Sequence, residues 1–103
     1  MRDKQFPKII THICKKGDAV RVMKSETGEA WFNSVDILQS VGLSFGGHFL
    51  DRLSVFETKR IYCEGKSMRF VNSTGLLALI GTKREYFAAR QIIVELIRKY
   101  SEL

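Results

Sequence analysis

At 103 residues the chain has the length of one domain with one core, and its 45% hydrophobic and 11% aromatic content excludes a disordered chain. The formal charge of +6 makes a polyanion the expected partner, nucleic acid first, because Lys and Arg displace condensed counterions from phosphates. No run of about eighteen apolar residues occurs and the N-terminus has no signal-peptide pattern, so the expectation is a soluble, intracellular protein with no membrane role.

In chain order, the β-branched run Lys8 to Cys14 predicts a strand, Lys15-Lys16-Gly17-Asp18 a turn, and Ala19 to Lys24 a second strand with Val20 and Val22 on one face. Ser25 to Glu29 supplies the next turn, and Ala30-Trp31-Phe32 returns as a third strand. A short helix follows, with Asn33 as its cap, Asp36 at the positive end of its dipole, an apolar stripe Val35, Leu38, Val41, and Gly42 as its stop. Leu43 to Gly47 reads as a loop and His48 to Ser54 as another short helix. Glu57 to Glu64 alternates, with Ile61 and Cys63 opposite Arg60 and Tyr62, and after a Gly65-Lys66-Ser67 turn Met68 to Val71 completes a second hairpin. From Ser73 the pattern is helical: Leu76, Leu79 and Ile80 form one apolar face. After Gly81-Thr82 a long closing helix runs from Arg84 to Tyr100, with Tyr86, Ala89, Ile93, Leu96, Ile97 and Tyr100 on its inner side.

One design appears twice. Trp31-Phe32-Asn33-Ser34 and Phe70-Val71-Asn72-Ser73 each close a strand on bulky residues and then offer an Asn-Ser pair to the free N–H groups of a first helical turn. The fold expected is α+β: two antiparallel β-hairpins packed against several helices, with a long C-terminal helix, as a single domain over residues 1–103.

Chemistry-bearing constellations do not accompany this pattern. Cys14 and Cys63 stand in apolar alternation as buried thiols do, and His12 and His48 lie far apart, so neither a structural disulfide nor a metal site is expected. Asp36 has no second carboxylate or His near it in sequence, which leaves it a helix-start charge rather than a catalytic acid. Gly46-Gly47 and Gly65-Lys66-Ser67 lack the context of a phosphate loop. No catalytic residue, cofactor or metal is expected.

The two junctions, in this order and at this separation, resemble the BRO N-terminal domain (Bro-N) of large DNA viruses and phage antirepressors. Val20-Arg21-Val22 looks like the opening strand of that family, and Ala30-Trp31-Phe32 with Val35-Asp36-Ile37-Leu38 looks like its aromatic pair and acidic helix start. Phe70 to Leu76 with Leu79-Ile80 and Lys83 is similar to its second signature, an Asn-x-x-Gly-Leu helix. Arg84 to Lys99 stands where the family places its closing helix, with Ile92-Ile93 replacing an aromatic followed by Val. The resemblance covers roughly residues 19 to 100. It implies sequence-tolerant DNA binding in viral transcription, replication or repressor control, and a host cytoplasm or nucleus as its setting.

The residues expected to carry that binding are Lys15, Lys16, Arg21 and Lys24 around the first hairpin, Lys59, Arg60, Lys66 and Arg69 on the second, and Lys83 and Arg90 at the closing helix. Lysines on exposed strands also guard sheet edges, which is the other reading of the hairpin set. Trp31 and Phe32 point to opposite sides of their strand, so at least one goes into the core and the other is a candidate for stacking on bases. Duplex DNA is the expected partner. A host or regulatory protein blocked by an adaptor of the same scaffold is the alternative, and a homodimer a further expectation.

Overall fold

A computed structural model of the chain describes residues 9–14, 17–25, 28–43, 57–63, 65–81 and 84–101. The expected helix at His48 to Ser54 lies outside them, as do Lys15, Lys16 and Lys83. The elements are β1 (Ile9–Ile13), β2 (Ala19–Lys24), β3 (Ala30–Asn33), α1 (Ser34–Ser40), β4 (Thr58–Cys63), β5 (Lys66–Asn72), α2 (Ser73–Ile80), a 3-10 turn (Arg84–Tyr86) and α3 (Phe87–Ser101). The strands form one antiparallel sheet in the order β1-β2-β3-β5-β4, so the α+β expectation holds. The two halves of the chain meet where β3 pairs with β5, Trp31 opposite Asn72 and Asn33 opposite Phe70. Because these central strands run antiparallel, α1 and α2 leave the sheet at opposite ends.

Both junctions are capped as the sequence predicts. Asn33 Oδ1 accepts the Asp36 N–H at 3.1 Å and Asn72 Oδ1 accepts the Gly75 N–H at 2.9 Å, each satisfying a donor that the helix leaves unpaired. Each amide also reaches across the sheet, Asn33 Nδ2 donating to Met68 Sδ and Asn72 Nδ2 to Glu29 Oε2. Gly75 explains the small residue in the second junction: a Cβ there would stand 2.7 Å from Val71 Cγ1 and 3.1 Å from the Glu57 carbonyl oxygen. Only glycine lets α2 lie this close to β5.

The helices cover one face of the sheet. There Val20, Val22, Ala30, Phe32 and Val71 meet Ile37, Leu38, Leu76, Ile80, Ile93, Leu96 and Tyr100 in a single buried cluster. On the other face Met23, Trp31 and Phe70 form a second buried cluster, bordered by Ile9, Ile61 and Met68. Trp31 and Phe32 therefore both go inward, one to each cluster, and the expectation that one of them is open to bases is corrected. The inner face of α1 is also corrected. Val35 is 59% exposed, and Ser34, Ile37 and Leu38 face the sheet in its place. On α2, Leu76 and Ile80 are buried while Leu79 is only half-buried.

The second hairpin is longer than predicted. Cys63 pairs with Lys66, so the link is the two residues Glu64 and Gly65, and Gly65 takes a φ of 83° that other residues rarely adopt. Cys14 follows β1 as a free, half-buried thiol.

His12 on β1 shares a 2.7 Å hydrogen bond between its Nδ1 and the Tyr100 hydroxyl, with the two rings edge to face. Burial, and secondly the Lys99 ammonium, hold the imidazole below its ordinary value of 6.5. The unfolded chain takes up the proton more readily than the folded one. The stability associated with neutral His12 is thus complete above pH 6.5 and is lost as pH falls from there through the lowered native value. Urea midpoints should drop between about pH 7 and about pH 5, and less steeply for His12→Gln; an equal drop in both proteins would show that His12 does not carry it.

Candidate nucleic-acid interface

The ten predicted basic positions divide by what each side chain does in the fold. Arg21, on β2, clasps Asp36 of α1. Its backbone N–H and Nε donate to Asp36 Oδ2 at 2.9 and 2.8 Å, and Nη2 donates to Oδ1 at 3.0 Å. Nη1 reaches Met68 Sδ on β5 at 3.3 Å, so the guanidinium spans the gap left where β3 ends. This is a fork-shaped, partly buried ion pair whose geometry suits arginine and not lysine. Arg21→Gln should cost about 1–3 kcal/mol in urea unfolding, because it strips the partners from a largely buried carboxylate. It should leave the salt dependence of any DNA binding as it was, and a changed slope with unchanged stability would reverse this assignment.

Arg90 is also used within the fold. Its Nη1 donates to the Gly81 carbonyl at 2.8 Å, tying the end of α2 to α3. Lys24 closes β2 and is half-buried at the end of the sheet.

The remaining four stand together on the β4–β5 hairpin. Thr58 lies opposite Val71, Arg60 opposite Arg69 and Tyr62 opposite Ser67, so these pairs share the face of the sheet that carries Phe32 and the helices. Toward the hairpin tip that face opens to solvent: Arg60 is exposed, Arg69 half-buried, and Tyr62 is 69% exposed. The other face of the hairpin carries Lys59, Ile61, Met68 and Lys66. Ile61 and Met68 pack against the Trp31 cluster there and hold the hairpin to the sheet. Lys59 Nζ lies 4.2 Å from the centre of the Trp31 ring, while Lys66 is exposed beside the tip. Trp31 Nε1 is buried without a hydrogen-bond partner, so the indole contributes its ring face to Lys59 and nothing to solvent.

Two features of this hairpin suit an anion. Like charges directly across a strand pair repel, and the facing Arg60 and Arg69 would be relieved by a negative group placed between them. Tyr62, next to them on the same open face, offers an aromatic surface beside the charge. Sequence reasoning counted the four basic residues and passed over Tyr62, although the alternation that set it beside Arg60 was visible.

Among the described residues no three His, Cys, Asp or Glu side chains gather as a metal site would need, and no helix is long and apolar enough to cross a membrane. The chain matches no protein-family model, and no curated protein or solved structure is significantly similar to it.

Proposed function

We propose that this chain is a DNA-binding module of the Bro-N kind that grips the phosphate backbone with its β4–β5 hairpin and works by binding rather than catalysis. The observation that carries the reading is the facing pair Arg60 and Arg69 on an open strand face with Tyr62 beside them. A two-stranded antiparallel ribbon is one of the shapes that a DNA major groove admits. Lys59 and Lys66 on the reverse side bring charge to both flanks of the ribbon, where phosphates lie on either side of a groove. Such contacts position a protein on DNA and read little sequence. The Bro-N resemblance supplies the biological setting, control of viral transcription, replication or repression, with the host nucleus or cytoplasm as its place.

The test is a filter-binding titration of arbitrary duplex DNA between roughly 50 and 200 mM salt. Phosphate binding predicts a straight log–log plot that falls by about 0.9 for each contact made. A flat plot, or no binding at low salt, overturns the reading and leaves the adaptor that blocks a regulatory protein.

A further inference from the structure

On the other side of the molecule from the β4 edge, the end of β1 and the outer side of α3 enclose a pocket of about 640 Å³. We propose that this pocket binds a small monocarboxylic acid with a branched aliphatic or aromatic body. Its volume falls within the range of pockets that hold small organic ligands, and its lining has the usual makeup of such sites, mostly apolar with a few polar groups.

The apolar walls come from two elements. Ile13 of β1 and Ile92 of α3 are among the exposed large hydrophobic residues of the protein, and both border this one hollow, with Leu96 between them and the core. Scattered exposed apolar residues are ordinary, but two that flank one concavity form a surface that an apolar ligand body would remove from water.

The polar groups define the head. Lys99 borders the pocket with its ammonium 5.6 Å from the centre of the Tyr100 ring, which holds the charge near the wall. His12 borders it as well, with Nδ1 occupied by the Tyr100 hydroxyl at 2.7 Å. Burial raises the phenol above its ordinary value and lowers the imidazole, so the phenol donates and the neutral ring accepts at Nδ1. The ring proton then resides on Nε2, where it is a donor with no bond to any described group. An ammonium and a neutral N–H donor in one pocket suit a carboxylate, which takes the charge and the hydrogen bond together. Ser40 adds no donor, since its hydroxyl is given to the Ile37 carbonyl. Glu95, one helical turn before Lys99 and exposed, also lines the pocket and disfavours multiply charged anions such as phosphate. A single carboxylate on an apolar body is what remains.

Cys14 lines the same pocket and serves as a local reporter. In a Cys63→Ser background, the rate at which Cys14 reacts with an aromatic disulfide reagent is followed against 4-methylpentanoate and against its neutral isostere, 4-methylpentanamide. The acid should slow the reaction at millimolar concentration and the amide should require about tenfold more, the difference expected for a charge-assisted contact. Lys99→Gln should bring the acid down to the amide's level, and Ile92→Asp should abolish protection by both. Equal protection by acid and amide, no protection by either, or a preference for the acid that survives Lys99→Gln would overturn the proposal. So would backbone amide shifts that gather on β4 and β5, since those would mark general anion binding by the basic hairpin.

Discussion

Leu76→Ala is expected to destabilise the protein by about 2–5 kcal/mol, the range for deleting a buried leucine side chain and leaving a cavity. Leu76 is fully buried and lies in the main cluster with strand residues Val71 and Phe32 and helical residues Ile80 and Ile93. The sheet behind it is fixed by pairing on both sides of β5, and Gly75 already brings α2 as near to that strand as the backbone allows. The surroundings therefore have little room to collapse into the space, which places the cost toward the upper half of the range. Leu79→Ala, on the same helix, is expected to cost only about 1 kcal/mol, because Leu79 is half-buried and its methyl groups already meet water. Urea unfolding of the two variants, compared at equal m-values, tests the difference. Equal losses would mean that α2 is rotated about its axis so that both leucines meet the sheet alike.

The pair of leucines shows what the sequence makes legible and what it does not. Local signals were enough to find nearly every described element: alternation for the strands, Asn caps for α1 and α2, and a helical stripe for α3. These depend on residues within one turn or one hairpin, where a pattern is its own cause. The rotation of a short helix is different. α1 has seven residues, too few for a stripe to fix its phase, and Val35 and Ile37 are equally apolar. What turns Ile37 inward is the clasp of Asp36 by Arg21, a contact between residues 15 apart in the chain. The pairing of β3 with β5, which joins the two hairpins into one sheet, is longer in range still.

The basic residues were legible as a set and illegible as individuals. Arg21 and Arg60 are both strand arginines set between apolar neighbours, yet one faces a carboxylate inside the fold and the other faces solvent beside another arginine. Nothing within a few residues of either separates them. The distinction arises because β3 stops short and α1 begins at that point, which brings the Asp36 carboxylate to the first hairpin. Once that is known, the weight of the DNA-binding proposal moves from the first hairpin to β4–β5.

The largest functional effect is therefore expected from replacing Lys59, Arg60, Lys66 and Arg69 together with Gln. If each makes one phosphate contact, the magnitude of the log–log salt slope should fall by about 3.6, and affinity at low salt should fall with it by several orders of magnitude. The set is chosen so that stability changes little, since Arg60 and Lys66 are exposed and removing the facing arginine pair relieves repulsion. Lys59 is the one member with a packing role, through its place over Trp31, so a Lys59→Gln single variant melted separately controls for loss of that contact. Tyr62→Ala should weaken binding to single-stranded more than to duplex DNA, because an exposed aromatic ring stacks on unpaired bases. Should the quadruple variant keep both affinity and slope while Lys15→Gln with Lys16→Gln reduces them, the phosphate contacts belong to the first hairpin's turn and the β4–β5 ribbon is not the binding face.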